Sequence, residues 1–152
     1  MPSGNLKKGN GVRKTYHRTG DLAVEQKFKN GIPNGEWKQY HKSGRLKLSV
    51  NYKEGFKQGN FKEFYDTDEK SIAVDGSFIN GLESGNYKEF YKSGKLRIEG
   101  FFINGLEDSL WVEYHENDQV FTDGFYFEGK PFGYWVTFFE NGNVQNIASG
   151  SA

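Results

Sequence analysis

Apolar and polar residues alternate along short segments of this chain. In the clearest case, Leu46, Leu48, Val50 and Tyr52 alternate with Lys47, Ser49, Asn51 and Lys53. Successive side chains of a β-strand point to opposite faces, so this segment predicts a strand with the four apolar residues on one buried face. Segments of this kind are about seven residues long and are bounded by Gly and Asn. They are too short for helices, and they predict β-hairpins.

The hairpin pattern recurs along the chain. Units begin near Gly11, Gly35, Gly59, Gly85, Ser109 and Gly133, at intervals of 24, 24, 26, 24 and 24 residues. First strands carry aromatics in two rows. The first row, which lacks a member in the first unit, is Trp37, Phe61, Tyr87, Trp111 and Trp135, and the second is Tyr16, Tyr40, Phe64, Phe90, Tyr114 and Phe138. Second strands of the first five units end in Phe28, Tyr52, Phe78, Phe102 and Tyr126, and a glycine follows.

A lone hairpin is marginally stable in water, so neighbouring hairpins must pair and stack their side chains. The sequence therefore predicts an all-β fold, an elongated single-layer array of stacked antiparallel β-hairpins with a period of about 24 residues. We expect one repeat domain over residues 1–152. The sixth unit lacks its closing aromatic and glycine, which predicts a partial unit and eleven strands in all.

The pattern G-x-W-x-x-Y-x-x-x-G-x-L, ending in an aromatic and x-x-G, resembles the MORN-repeat-variant family. It is met most fully by Gly35, Trp37, Tyr40, Gly44, Leu46, Tyr52 and Gly55. The resemblance spans nearly all of residues 9–146, with departures at Arg13 and Ser109. It implies a hairpin repeat. It also implies two kinds of function, because many bacterial relatives are described as antitoxin-like or immunity-like, whereas eukaryotic arrays are associated with scaffolding and phosphoinositide binding.

Charge is distributed unevenly although the formal net charge is zero. Residues 1–62 contain 14 Lys or Arg and 4 Asp or Glu (+10), and residues 63–152 contain 6 and 16 (−10). There is no cysteine, which excludes disulfides, thiolate metal sites and a cysteine nucleophile. No apolar run reaches the ~18 residues of a membrane span, and no signal-peptide pattern is present. We therefore expect a cytoplasmic protein, or an exported one if an export signal has been trimmed ahead of Met1.

Two sets of residues have side chains suited to metal binding or catalysis. His17, His41 and His115 share one repeat position with Tyr65, Tyr91 and Phe139, which favours ring packing over metal binding. An acidic stripe of Glu63, Glu89 and Glu113 lies on the face of the first aromatic row. Paired carboxylates serve in acid–base catalysis, but a 24-residue recurrence favours a polar stripe that bonds internally or meets a basic partner. The sequence predicts no enzyme, no metal and no cofactor.

The outward face changes character along the array. It is polar in the first three units, but in the later units it carries Phe101, Ile103, Leu110, Val112, Phe121, Phe125, Phe127, Tyr134 and Val136. Contiguous exposed apolar area is typical of interaction surfaces, so these residues predict a partner-binding surface. The alternative is that the C-terminal end closes over them.

A basic face is formed by Lys14, Lys27, Lys29, Lys38, Lys47, Lys53 and Lys62. It is suited to an anionic membrane surface, or it is an ordinary lysine-decorated sheet. The excess of lysine over arginine disfavours nucleic acid.

The sequence favours a non-catalytic protein-binding module, an antitoxin or immunity-type protein that occludes a protein partner such as a basic toxin. The alternative is a scaffold or membrane-proximal protein that binds anionic lipid through its basic N-terminal half. Opposite charges at the two ends also predict weak head-to-tail self-association.

Overall fold

The computed structural model describes residues 8–150, which form one antiparallel sheet. Met1–Gly4, on which the possibility of a trimmed export signal depends, lies outside the described residues. The strands are β1 (Gly11–Tyr16), β2 (Leu22–Lys29), β3 (Ile32–Tyr40), β4 (Leu46–Lys53), β5 (Phe56–Lys57), β6 (Gly59–Phe64), β7 (Ile72–Ile79), β8 (Leu82–Glu83), β9 (Gly85–Phe90), β10 (Leu96–Ile103), β11 (Leu106–Tyr114), β12 (Val120–Phe127), β13 (Lys130–Phe138) and β14 (Val144–Ser149).

Strand order in the sheet is the order along the chain. Twelve strands follow one another from β1 to β14, while the short β5 and β8 pair with β4 and β7 at the edge. The predicted all-β hairpin array is therefore confirmed. The expectation of eleven strands is wrong, because Val144–Ser149 pairs with β13. The missing aromatic does not prevent this pairing, since backbone hydrogen bonds and small residues such as Ala148 opposite Trp135 suffice at the last strand.

Tight turns line one edge of the sheet. Asn30 and Gly31 both have positive φ, 51° and 77°, the conformation that two-residue type I′ hairpin turns require. Glycine and asparagine adopt it at low cost, which explains the closing glycine of each unit. Adjacent turns also bond to each other. The Gly55 amide donates to the Pro33 carbonyl at 2.9 Å, and this contact recurs from turn to turn.

A bulge interrupts each second strand near its start. In the second unit, Gln39 pairs with Leu48 but Tyr40 pairs with Leu46, so Lys47 is the extra residue. Since Gln39 and Tyr40 point to opposite faces, Leu46 lies on the face of Tyr40. The expectation that Leu46 shares a face with Leu48 is wrong, because strict alternation assumes an unbroken ladder.

The first aromatic row defines one side of the sheet, called the aromatic face from here on. Rings of first and second strands pack in sequence, from Trp37 on Tyr52 at 4.9 Å between centroids to Tyr126 on Trp135 at 4.9 Å. In the described range only Val50, Phe61, Phe102 and Val112 are buried hydrophobics. A single layer with a stacked aromatic face therefore takes the place of a thick core.

Three glycines in mid-strand let rings lie against the backbone. Gly76, Gly100 and Gly124 occupy the repeat position of Val50, and none has positive φ. A methyl group at Gly124 would lie 2.2 Å from Trp135 Cδ2, and one at Gly100 would lie 2.2 Å from Trp111 Cδ2. These positions therefore hold glycine for close packing rather than for a turn.

Candidate functional site

The three histidines stabilise the stacking of neighbouring units. Nε2 of His17, His41 and His115 hydrogen-bonds to the carbonyl oxygens of Tyr40, Phe64 and Phe138, at 3.1, 2.9 and 2.9 Å. The hydroxyls of Tyr65 and Tyr91 make the same contact to the next unit at 2.6 Å. A shared hydrogen-bonding role explains why tyrosine and histidine alternate at this position.

The acidic stripe is part of a side-chain network. The Tyr87 hydroxyl donates to Glu89 Oε1 at 2.7 Å, and Arg97 pairs with Glu89 and, at 3.6 Å, with Glu113. Burial raises the pKa of Tyr87, and the hydrogen bond to Glu89 raises it further. Glu63, by contrast, is exposed. Within residues 8–150, no group of three or more His, Asp or Glu side chains is placed to hold a metal ion.

Most of the basic face lies on the side opposite the aromatic face. Lys14 pairs with Glu25 at 3.8 Å, and Lys27 and Lys38 pair with Glu36 at 3.6 and 3.1 Å. Hydrogen bonding and charge from Lys38 lower the pKa of Glu36. Further along the strands are Lys29, Lys53 and Lys62, and Lys47 is the bulge residue. These partly paired lysines form a lysine-rich surface with several ammonium groups available.

The same side of the sheet becomes apolar in the later units. We call the exposed set the apolar patch; it contains Phe101, Ile103, Leu110, Phe125, Phe127 and Tyr134, which are between 37 and 72 % exposed. Leu110 pairs directly with Phe125 across β11 and β12, so their side chains lie side by side. The structure therefore brings together six of the nine residues that the sequence assigned to a binding surface.

The other three predicted residues are placed differently. Val112 is only 9 % exposed and Val136 is half-buried, so neither offers free surface. Phe121 lies at the bulge between Val120 and Thr122, where alternation breaks, and its ring packs on His115 at 4.9 Å. Its expected place beside Phe125 followed from an unbroken alternation, which the bulge removes.

Sequence reasoning missed several exposed apolar residues. Phe132 pairs with Phe125, is 56 % exposed, and lines with Phe127 a groove of about 510 Å³. Along the turn edge run Ile32, Phe56, Leu82 and Leu106, each about half exposed. Their spacing of 24, 26 and 24 residues matches the repeat, so extending the repeat alignment to this position would have revealed them.

Carboxylates border the apolar patch. Asp108 lines the same groove as Phe132, and Glu99 lines a second cavity, of about 390 Å³, with Phe101 and Leu110. Asp123 pairs with Val112 and Val136 on this side. The Tyr114 hydroxyl donates to Glu99 at 2.7 Å, and burial followed by this bond raises the pKa of Tyr114 to about 12. The patch therefore combines apolar anchors with negative charge.

Part of the chain matches a known protein family. The model described as MORN repeat variant matches residues 9–30, 33–54 and 83–104. Each matched segment covers a first strand, a loop and a second strand, and ends at the first residue of the closing turn. The third unit carries the insertion near Asp66 and the fifth begins at Ser109, but both keep the same strand pairing. A comparison with curated proteins finds no match.

Within the described part of the chain, no helix has the length and apolar character needed to cross a membrane.

Proposed function

Because this chain belongs to the MORN repeat variant family through three of its repeats, we propose that it is a non-catalytic protein-binding module. Repeats of this family are typically non-catalytic. An open single-layer sheet suits binding, since it presents two extended faces for the size of the chain. The proposed binding site is the apolar patch.

Exposure of the apolar patch is the observation that carries the proposal. Phe125, Phe127 and Tyr134 are 51, 61 and 72 % exposed in a sheet whose other side already stacks its aromatics. Within residues 8–150, β14 pairs at the edge of β13 and does not cross over the patch, which supports an external partner over internal closure. Exposed aromatics of this kind are typical binding anchors, and each can contribute ~2 kcal/mol or more to the binding free energy when a partner buries it.

The acidic border of the apolar patch supports a basic partner. Glu99, Asp108 and Asp123 would face like charges if two copies met patch to patch, which disfavours a symmetric dimer. A partner with basic residues around an apolar surface would instead gain both attraction during encounter and anchoring afterwards. We therefore propose a basic protein as the partner.

The finer proposal is an antitoxin or immunity role, in which the module covers the working surface of a basic toxin. It is supported by the match between an acidic, apolar patch and the positive surface that proteins acting on nucleic acid or anionic lipid need. Covering a toxin surface requires no catalysis by this chain. The bonding of Glu89 is consistent with this role, because this carboxylate accepts a hydrogen bond from Tyr87 and pairs with Arg97 rather than forming an acid–base pair.

Differential capture tests the proposal. Wild-type protein, the Phe125→Ser/Tyr134→Ser variant and the control Phe56→Ser are immobilised and exposed to native lysate. Phe56 is 58 % exposed, but it lies on β5, away from the apolar patch. We expect a basic protein that is retained by wild type and by the control and released by salt, with an affinity for the double variant at least ~100-fold lower. Equal retention by all three baits would refute the apolar patch as the site.

An anionic membrane surface is the second candidate. Lys29 pairs with Ile32, and Lys53 pairs with Phe56, so cationic and exposed apolar side chains alternate along the turn edge. Such a combination suits the interface of an anionic bilayer. Cosedimentation with phosphatidylserine vesicles that is lost in Lys29→Glu/Lys53→Glu, but kept in Phe125→Ser/Tyr134→Ser, would favour this function. Binding that is unaffected by the lysine changes would exclude it.

A further inference from the structure

A cavity on the aromatic face is separate from the apolar patch. It has a volume of about 240 Å³, lies between β9 and β13, and is walled by Trp111, Tyr126 and Trp135. Tyr126 stands nearly perpendicular to both indoles, at 81° and 74°, with centroids 5.9 and 4.9 Å away. The three rings thus form a corner rather than a flat stack.

Three carboxylates line the same cavity, those of Glu89, Glu107 and Glu113. Arg97 supplies one positive charge to Glu89 and Glu113. Glu107 forms no ion pair among the residues that the structure describes. The cavity therefore carries an uncompensated negative charge beside aromatic rings. Burial raises the pKa of Tyr126, and the charge of Glu107 raises it further.

An earlier unit contains the same geometry with its own cation. Lys57, Glu83 and Glu107 occupy one repeat position, each paired with the aromatic that ends the preceding strand. The Lys57 ammonium lies 4.9 Å from the centroid of Phe78, the aromatic on the next second strand. The corresponding ring for Glu107 is Tyr126. A cation over this ring position is thus compatible with the fold, and a carboxylate replaces the cation in the fifth unit.

We propose that the Trp111–Tyr126–Trp135 cavity binds an organic cation, an alkylammonium or guanidinium group, from a small molecule or from a basic side chain of another protein. Rings attract a cation through their quadrupoles, and Glu107 and Glu113 supply the counter-charge. The site lies on the other side of the sheet from the apolar patch, so the inference does not depend on the proposed function.

The experiment uses the three indole N–H signals of the full chain in a ¹H–¹⁵N correlation spectrum. Trp111 and Trp135 report on the cavity, whereas Trp37 lies three units away and serves as an internal control. The probes are propylguanidinium, butylammonium and the neutral isostere propylurea. We expect saturable shifts of Trp111 and Trp135 with the two cations, no shift of Trp37, and no saturable shift with propylurea. Propylurea shifts equal to those of propylguanidinium would overturn the proposal, as would equal movement of all three indoles.

Two variants sharpen the test. Glu107→Gln should weaken cation binding by about tenfold, since it removes a charge-assisted contact. Glu107→Lys should abolish binding, because it supplies an internal ammonium as Lys57 does. The matched control Glu140→Lys makes the same charge change in an exposed loop and should bind within about twofold of wild type. Cation binding by Glu107→Lys at wild-type strength would refute the site.

A peptide arm identifies the source of the cation. Nα-acetyl-lysine amide and Nα-acetyl-arginine amide present the same ammonium and guanidinium groups on a peptide backbone. Tighter binding of these than of butylammonium and propylguanidinium assigns the cavity to a side chain of a protein, and the reverse order assigns it to a small molecule. Absence of saturable shifts from all four cations would overturn the proposal.

Discussion

Gly124→Ala tests whether ring-on-backbone packing stabilises the array. The added methyl group would lie 2.2, 2.3 and 2.5 Å from Cδ2, Cε2 and Cγ of Trp135, so the indole must retreat by more than about 1 Å to reach ordinary contact. That ring is held by the packing of Tyr126 at 4.9 Å and by a 3.3 Å hydrogen bond from Trp135 Nε1 to the Phe125 carbonyl.

Local backbone propensity and side-chain packing predict opposite effects of Gly124→Ala on the unfolding free energy. Alanine is favoured over mid-strand glycine by about 0.5–1 kcal/mol, whereas overpacking of a fixed ring costs about 1–3 kcal/mol. Because the ring is fixed on two sides, we expect net destabilisation. The net cost is then up to about 2.5 kcal/mol. For a chain of this size each kcal/mol lowers the melting temperature by about 2–4 °C, so we expect a fall of up to about 10 °C.

Thermal and urea unfolding are monitored by circular dichroism for the members of a double-mutant cycle with Trp135→Leu. If the indole causes the strain, Gly124→Ala should be neutral or stabilising in the Trp135→Leu background, and the two changes should couple strongly. Stabilisation by Gly124→Ala alone, or the same loss in both backgrounds, would refute the packing argument.

Three further results are expected. Tyr91→Phe, which removes the 2.6 Å hydrogen bond to the Tyr114 carbonyl, should lower the unfolding free energy by about 1 kcal/mol in urea titrations, and no loss would make the contact dispensable. The pKa of Tyr114 is raised to about 12, so its contribution to the unfolding free energy is complete below the ordinary phenol pKa of 10.0. The unfolding free energy should therefore fall as the pH rises from 10.0 through about 12, and this fall should be less steep in Tyr114→Phe. Sedimentation at low salt should show weak self-association that disappears as salt rises, because one half is basic and the other acidic; a strict monomer at high concentration would contradict it.

The hairpin array could be predicted from the sequence because each unit repeats the same local signals. Turn glycines, two-residue alternation and aromatic positions all indicate short strands. Since the pattern occurs in six units, a departure from it in one unit does not change the prediction. Three positions were not predicted. Gly76, Gly100 and Gly124 were overlooked because glycine usually indicates a turn, although the corresponding residue Val50 already marks the position as mid-strand.

The candidate surface could be predicted only in part. The alternation of residues correctly places Phe125 and Tyr134 on the outward face. It does not place Phe121 correctly, because a bulge shifts this residue. The bulge lies at the same place in every unit, but no residue type in the sequence marks it. The aromatic cavity was beyond sequence reasoning for a different reason. It depends on the tilt of Tyr126 between two indoles, which no pattern of residue types specifies.

Sequential strand order has a consequence for how this protein folds. All-β proteins usually fold slowly, since their strands pair across long stretches of chain whose ends must first meet. Here every strand pairs with its neighbour in the chain, so forming each new pair closes a connection of only a few residues. We expect refolding in milliseconds or faster, with growth that can begin at any hairpin and spread in both directions.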